Sequence, residues 1–245
     1  MKLSEPLTIE HDDRRQTFEE IERNGGLPKS QVVSGTVEQQ RAARHHVAVL
    51  KRDGYLRETE EGRLEPALEV DAEAEEFNAD DATVTIRPAR QADLTGIVGA
   101  IRQVAAEKTY IVAESVADEL DHQDVLLRHN SLESRMFFVA TVDESVIGWV
   151  HLNAPELEKL DHTAELTVGV IEEYRSDGIG KELLDRATDW ASENGFERLY
   201  QSVPSTNQRA IDFLEDNGWR VEAVREDHYK LDEEYIDEVM MAATP

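Results

Sequence analysis

Residues 168–184 read Val168-Gly-Val-Ile-Glu-Glu-Tyr-Arg-Ser-Asp-Gly-Ile-Gly-Lys-Glu-Leu-Leu184 and join three local patterns. The first residues continue an apolar, β-branched run that predicts a strand. A polar turn with Gly178 and Gly180 follows, and apolar residues then recur at helical spacing. A strand, a glycine turn and a helix start in that order bring backbone N–H groups and the positive end of a helix to one point. The stretch therefore predicts an anion site, to which Arg175 adds a fixed positive charge.

Two common phosphate loops do not fit this sequence. A P-loop requires a serine or threonine after its Gly-Lys pair, whereas Lys181 is followed by Glu182. A dinucleotide-binding fold requires Gly-x-Gly-x-x-Gly early in a βαβ unit, and this turn carries only two glycines. Arg-x-x-Gly-x-Gly at residues 175–180, after a strand reading Leu-Thr-Val-Gly-Val, instead resembles the pyrophosphate loop of the GNAT acetyltransferase family.

Two further motifs resemble the same family. Ile86-Arg-Pro-Ala89 followed by Asp93-Leu94 resembles the first strand and helix entry of GNAT domains, and Tyr235-Ile-Asp-Glu-Val-Met-Met-Ala242 resembles their last strand. Periodicity between these motifs predicts helices to about Lys108 and at 116–129, 179–187 and 207–217. It predicts strands at 83–90, 136–142, 145–152, 163–171, 198–203 and 220–224. The resemblance covers residues 83–242. It implies an α+β fold with a mixed, mostly antiparallel central sheet, splayed between its fourth and fifth strands and flanked by helices.

The resemblance also implies that acetyl-CoA binds as acyl donor. Backbone groups of Val168, Gly169 and Val170, left free by the splay, would pair with the pantetheine arm. A backbone N–H at Val170 or Ile171 would polarise the thioester carbonyl. A glycine inside a strand is unusual, so Gly169 predicts a bulge or a close approach. The implied pyrophosphate and arm contacts are Arg175, Ser176, Asp177, Gly178, Ile179, Gly180, Lys181 and Asn207.

Proton transfer is less well defined by the sequence. Glu165 occupies the strand on which many family members carry a catalytic glutamate, with His162 and His151 as alternatives for the base. Many family members carry a tyrosine, the general acid, seven residues after the asparagine, but here that position is Leu214. Tyr229 or Tyr174 would replace it as catalytic acid, or water and backbone N–H groups would stabilise the thiolate.

Residues 1–68 resemble a winged helix-turn-helix domain. Helices are predicted at 14–23, from about Leu27 to Gly35, and at 37–52, followed by a hairpin at 55–66. The third helix is predicted to bury Val37, Ala43, Val47 and Leu50. It would either bind DNA phosphates or serve for packing alone; the implied DNA contacts are Arg41, Arg44, Lys51 and Arg52. An acidic linker at 69–82, with some helical content, would then join this α+β module to a GNAT domain at 83–245.

Composition narrows the class of protein. The chain has 53 acidic and 26 basic residues, a net charge of −27, and no cysteine, so disulfides and thiolate metal sites are excluded and no metal site is predicted. Scattered acids of this number are typical of proteins adapted to molar salt. No apolar run is long enough to span a membrane, and Met1-Lys2-Leu3-Ser4 does not begin a signal peptide. These features predict a cytoplasmic, halophilic protein.

The predicted function is N-acetyl transfer from acetyl-CoA to a primary amine, by direct attack in a ternary complex. A protein amine and a small-molecule amine both remain open as the acceptor, and a homodimer is one open assembly. The rival prediction is a DNA-binding transcription regulator whose GNAT domain senses acyl-CoA.

Overall fold

The computed structural model describes residues 7–68, 72–79, 82–106, 110–130 and 132–245. Some predictions fall on other residues and lie outside the described ones. These are the absence of a signal peptide, the helix end at Lys108, and the linker residues 69–71 and 80–81.

The N-terminal part consists of three helices and a small antiparallel sheet. Its elements are α1 (Asp12–Arg23), β1 (Leu27–Pro28), α2 (Lys29–Val32), α3 (Val37–Arg52), β2 (Leu56–Glu58) and β3 (Arg63–Pro66). The strands lie in the order β1-β3-β2, so the predicted hairpin is confirmed. Phe18, Ile21, Leu50 and Leu64 form its buried centre. Helices α1 and α3 and the hairpin agree with the sequence, but the helix predicted from Leu27 to Gly35 is limited to Lys29–Val32, because Leu27–Pro28 forms strand β1. The winged-helix assignment stays a prediction.

Helix α3 has the predicted bounds because a capping box fixes its start. The Thr36 side chain accepts a hydrogen bond from the Gln39 N–H, and the Gln39 side chain accepts one from the Thr36 N–H. The predicted buried face is wrong at Val37, which is 86% exposed. The buried residues of this helix, Val47, Val49 and Leu50, all lie in its second half.

The described residues from 72 onwards form one nine-stranded sheet and four further α-helices. The helices are α4 (Leu94–Ala105), α5 (Ile111–Gln123), α6 (Ile179–Glu193) and α7 (Gln208–Asp216). The strands are β4 (Glu75–Ala79), β5 (Ala82–Pro88), β6 (Arg128–His129), β7 (Glu133–Val142), β8 (Ser145–Pro155), β9 (Thr163–Val170), β10 (Arg198–Pro204), β11 (Arg220–Leu231) and β12 (Glu234–Ala243). Their order is β11-β12-β10-β9-β8-β7-β5-β4, with β6 on β7. Among the described strands, only the β9–β10 pair is parallel, so the sheet is mixed and mostly antiparallel, as predicted.

Residues 75–79 and 124–129 differ from the sequence expectation. Residues 75–79, predicted as linker with some helical content, form the edge strand β4, which pairs with β5. The helix predicted to reach His129 ends at Gln123, because Asp124 adopts the left-handed conformation with φ 53°. His129 instead lies in strand β6.

Helices cover both faces of the sheet. Alternate residues of a strand point to opposite faces, so Phe137 packs with α4 and α5, whereas Phe138 packs with α6 and α7. Both rings are fully buried. Within the described residues, no helix has the length and apolar character needed to cross a membrane.

The sheet opens between β9 and β10. The pairing of these strands starts at Thr163 with Arg198 and stops at Glu165 with Tyr200. On its other side β9 stays paired with β8 as far as Val170. Beyond Glu165, β9 therefore has a strand neighbour on one side only within the described chain. The splay predicted between the fourth and fifth strands of the resembled fold, here β9 and β10, is confirmed. It leaves a gap between these two strands.

Candidate functional site

The gap between β9 and β10 leads into a cavity of about 350 Å³. Strand β9, the turn after it, strand β10 and the starts of α5 and α7 supply its walls. Most residues predicted for cofactor binding line it: Val168, Gly169, Val170, Arg175, Ser176, Gly178, Gly180, Lys181 and Asn207. Asp177 and Ile179 do not; Ile179 is 1% exposed and packs in the core. Nine of the eleven residues predicted to bind the cofactor therefore line one cavity.

Backbone geometry distinguishes the two N–H groups considered for the carbonyl. The N–H of Ile171 donates to the Ile147 carbonyl of β8 at 2.9 Å. Successive N–H groups of a strand point to opposite neighbours, so the N–H groups of Val168 and Val170 face the gap. The Val170 carbonyl on the same side accepts a hydrogen bond from Arg175 Nε at 2.8 Å. Val170, and not Ile171, therefore presents an N–H to the cavity.

Gly169 is explained by a close approach. A Cβ at this position would lie within 2.8 Å of three ring atoms of Trp149, which is fully buried. The register from Gly148 to Asn153 opposite β9 is continuous, so the predicted alternative of a bulge is wrong. The glycine lets the indole pack flat against the strand directly beside the gap.

The turn after β9 presents N–H groups at the start of α6. Ser176 and Gly178 both have positive φ, 81° and 82°, which turns the chain sharply into the helix. The first intrahelical hydrogen bonds are those that Lys181 and Glu182 donate to the Gly178 carbonyl. The N–H groups just before them are the ones that a helix leaves for an anion. The turn therefore has the geometry of a phosphate site.

Three cations lie at this cavity in different situations. Arg175, besides binding the Val170 carbonyl, places its guanidinium carbon 5.7 Å from the centroid of the Tyr110 ring. Lys181 is exposed and forms an ion pair with Asp185 of the same helix. Arg209, in the first turn of α7, is exposed, and none of the described residues hydrogen-bonds or ion-pairs with it. The sequence reasoning missed Arg209, although its place two residues after Asn207 marked it as a helix-start cation.

Asn207 caps helix α7 at the cavity wall. It is 6% exposed, and its Oδ1 accepts a hydrogen bond from the Ala210 N–H at 3.1 Å. This contact caps α7 and fixes the direction of the helix. Seven residues later, Leu214 lies fully buried in the cavity wall and offers no proton.

The tyrosines are placed differently from the prediction. Tyr229 donates its O–H to Glu238 Oε1 at 3.1 Å on the β11–β12 hairpin, and burial and the nearby Glu238 raise its pKa. Neither Tyr229 nor Tyr174 is among the residues that line the cavity. Tyr110, directly before α5, does line it. No motif in the sequence marked Tyr110, because nothing local indicates that the start of α5 lines the same cavity as β9.

The candidate bases lie at the margin of the site. Glu165 is exposed, does not line the cavity and lies opposite Asn153 and Tyr200 on the sheet. His151 is buried against Phe137, with Nδ1 3.4 Å from the Thr167 hydroxyl, which lines the cavity. Burial, helped by Arg135, lowers the pKa of His151 to about 3. A ring with such a pKa is neutral near pH 7 and cannot hold a proton taken from an amine. His162 lies just before β9, partly exposed.

Side chains suited to a metal ion are not gathered here. Among the described residues, no three His, Asp or Glu side chains are grouped closely enough to hold a metal.

Comparison with known proteins shows what this region is similar to. Residues 99–219 match the model of the acetyltransferase (GNAT) family. An acetyltransferase of the GNAT family from Streptococcus pneumoniae shares 21% identity, with a TM-score of 0.54 over 66% of this chain and 99% of that one. A GCN5-related N-acetyltransferase from Kribbella flavida shares 23% identity, with a TM-score of 0.55 over 66% and 98%. The protein yncA from Salmonella typhimurium, solved with its cofactor acetyl-CoA, shares 20% identity, with a TM-score of 0.52 over 66% and 93%.

These structural likenesses show the fold, and the family model covers the chain from α4 to the end of α7, including β9, the glycine turn and α6. Residues 99–219 are therefore similar to the acetyltransferase (GNAT) family.

Proposed function

We propose that this protein transfers an acetyl group from acetyl-CoA to a primary amine by direct attack in a ternary complex. The observation that carries the proposal is the gap between β9 and β10. It leaves the N–H groups of Val168 and Val170 facing a cavity that ends at the N-terminus of α6. An extended amide-containing arm can pair with such a strand edge, and a phosphate with such a helix end.

Each part of the site has a role in this proposal. Bound acetyl-CoA supplies an activated acetyl group as its thioester. The free edge of β9 from Val168 to Val170 holds the pantetheine amides, and the N–H of Val170 polarises the thioester carbonyl. The turn from Ser176 to Lys181 holds the pyrophosphate at the start of α6. Arg175 and Asn207 act by fixing Val170 and α7, and Arg209 adds a positive charge.

Glu165 is the proposed base. It lies on the same strand, five residues before Val170, or about 16 Å along the strand. At that distance a chain of water molecules has to carry the proton from the attacking amine to the carboxylate. Tyr229 is not carried into the proposal, because its O–H is bound to Glu238 outside the cavity.

Calorimetry with acetyl-CoA in molar KCl tests donor binding. The wild type should bind, and Arg209→Ala should bind about tenfold more weakly, because one charge-assisted phosphate contact is lost. Arg220→Ala is the matched control, since Arg220 is exposed on β11 and does not line the cavity. Absence of acetyl-CoA binding by the wild type would refute the proposal.

An amine panel tests the transfer itself. The panel should contain diamines, polyamines, lysine and short peptides with a free N-terminus, with release of the CoA thiol as the readout. Turnover with at least one amine supports the enzyme. Binding of acetyl-CoA without turnover on any amine favours the rival, an acyl-CoA sensor.

A second function, DNA binding by the N-terminal module, has one observation in its favour. Arg41 and Arg44 are exposed on α3, and none of the described residues forms an ion pair with either. The other two predicted contacts are already neutralised, because Lys51 pairs with Glu58 and Arg52 with Asp53. The winged-helix assignment and the domain division at 68 and 83 belong to this proposal.

Salt-dependent binding to a DNA duplex tests this second function. Arg44→Ala should weaken binding and reduce the slope of log affinity against log salt by about one. Arg52→Ala should leave the slope close to that of the wild type. Equal slopes for the wild type and Arg44→Ala would contradict it.

A further inference from the structure

The site described above lacks a proton donor for the departing sulfur. The family position for that donor is Leu214, a fully buried hydrocarbon side chain in the cavity wall. When the C–S bond breaks, its electron pair stays on sulfur, and a nearby O–H stabilises that charge and then protonates it. The question is which side chain of this protein can do so.

Tyr110 lies in the wall of this cavity. It directly precedes α5 and lines the cavity together with Val170, Leu214 and Phe213. Two contacts in series tie its ring to the proposed thioester position. The Arg175 guanidinium lies over the ring at 5.7 Å, and Arg175 Nε donates to the Val170 carbonyl at 2.8 Å. The same arginine therefore contacts the Tyr110 ring and the carbonyl of Val170, one of the two residues whose N–H faces the gap.

The other proton donors are less well placed. Among the described residues that line the cavity, Tyr110 is the only phenol. The Lys181 ammonium is paired with Asp185 on the pyrophosphate side. Tyr229 and Tyr174 do not line the cavity.

We propose that Tyr110 is the general acid for the CoA thiolate, taking the place that Leu214 leaves empty; this rests on the proposed acetyl transfer. The amine nitrogen forms a bond to the acetyl carbon, the C–S bond breaks, and its electron pair goes to sulfur. The Tyr110 O–H gives its proton to sulfur, and the amine gives its own proton to water and Glu165. The resulting phenolate faces the Arg175 cation until it regains a proton from solvent.

The substitution Tyr110→Phe distinguishes proton donation by the O–H from support of Arg175 by the ring. Tyr110→Phe keeps the ring, and therefore the contact with Arg175, but removes the O–H. Tyr110→Leu removes both, and Tyr235→Phe is the control for loss of an exposed phenol far from the cavity. If the O–H is the acid, Tyr110→Phe lowers kcat by about 100-fold or more with the amine that the wild type acetylates fastest. Its affinity for acetyl-CoA stays that of the wild type.

A second readout uses CoA alone and needs no acceptor. The O–H of Tyr110 would donate a hydrogen bond to the thiolate of bound CoA and favour its ionised form. The thiol of bound CoA should therefore ionise at lower pH in the wild type than in Tyr110→Phe, as followed by the ultraviolet absorbance of the thiolate. Tyr235→Phe should titrate like the wild type.

The outcomes distinguish this inference from the function beneath it. A wild type that binds CoA and acetylates an amine, beside a Tyr110→Phe variant with unchanged kcat or an unchanged thiol titration, overturns the role of Tyr110 alone. A wild type that does not bind CoA overturns the proposed function first. Loss of activity in Tyr110→Leu but not in Tyr110→Phe would show that the ring only braces Arg175, which also overturns the acid role.

Discussion

At Gly169 strand β9 has no space for one extra methyl group. A Cβ there would meet the buried Trp149 ring at 2.8 Å or less. Gly169→Ala should therefore lower the free energy of unfolding by about 1 to 3 kcal/mol, through displacement of the indole. Gly99→Ala is the control, since open space surrounds that helical glycine and alanine is the better helix former by about 1 kcal/mol. Urea unfolding in molar salt measures both; equal stability of Gly169→Ala and the wild type would contradict the packing argument.

Protonation of His151 should destabilise the fold. Burial depresses its folded pKa to about 3 from the ordinary 6.5, so the unfolded chain binds the proton more tightly. Stability is therefore lost as pH falls below 6.5, by up to about 1.4 kcal/mol per pH unit. His151→Gln cannot bind this proton. As pH falls from 6.5 to 4.5, the free energy of unfolding of the wild type should therefore decrease relative to that of the variant. Urea unfolding at several pH values checks this, with the partly exposed His162→Gln as a control; parallel curves for wild type and His151→Gln would contradict it.

Residues that act through the conformation of their own few residues of backbone could be predicted from the sequence. Gly178 and Gly180 mark the turn, and Asn207 marks the start of α7, because each acts within its own few residues. Tyr110 and Arg209 were missed. Tyr110 matters only because the start of α5 lines the same cavity as β9 in the folded chain, and that proximity has no signature in the sequence around it.

The cap of α3 is a stability contribution that can be measured at the scale of one helix. Thr36 binds the Gln39 N–H at the start of this 16-residue helix. Thr36→Ala should lower the free energy of unfolding by about 1 kcal/mol, because one helix-end N–H loses its partner. Thr17→Ala is the matched control, since the Thr17 hydroxyl only binds the Asp13 carbonyl within α1. Thermal unfolding followed by circular dichroism compares them; a larger loss for Thr17→Ala would contradict the cap assignment.

Elements with strong periodicity or clear end signals were predictable, and edge elements were not. Helix α3 has the predicted bounds because Thr36 and Asp53-Gly54 mark its ends. The acidic composition of residues 75–79 is typical of a linker. In the structure these residues form strand β4, which pairs with β5 at the edge of the sheet, and its acidic side chains are exposed to solvent. The end of α5 depends on the left-handed backbone of Asp124, a residue type that tolerates this conformation but does not require it.

The net charge of −27 acts on the whole molecule. Repulsion among 53 acidic side chains opposes the compact state, and molar salt screens it beyond about 3 Å. The melting temperature should therefore rise as KCl is increased from low concentration to the molar range. A nonionic osmolyte at matched osmolality should give a smaller rise, because it leaves the charges unscreened. A melting temperature that falls or stays constant with KCl would contradict a fold limited by its own charge.

The N-terminal module and the sheet meet at a buried carboxylate. Glu22 of α1 is 3% exposed and accepts a hydrogen bond from Asn130 Nδ2 at 3.2 Å, and burial raises its pKa. A raised folded pKa means that the stability Glu22 provides is complete below the ordinary value of 4.5 and is lost as pH rises through the folded value. Glu22→Gln keeps an acceptor for Asn130 without the charge, so it should be more stable than the wild type near pH 8, on the order of 1 kcal/mol. The stabilities of the wild type and Glu22→Gln should converge as pH falls towards 4.5.

Glu20→Gln, exposed on the same helix, serves as control in urea unfolding across this pH range. A Glu22→Gln variant less stable than the wild type near pH 8 would show instead that the charged carboxylate holds the two parts together, through the nearby Arg128.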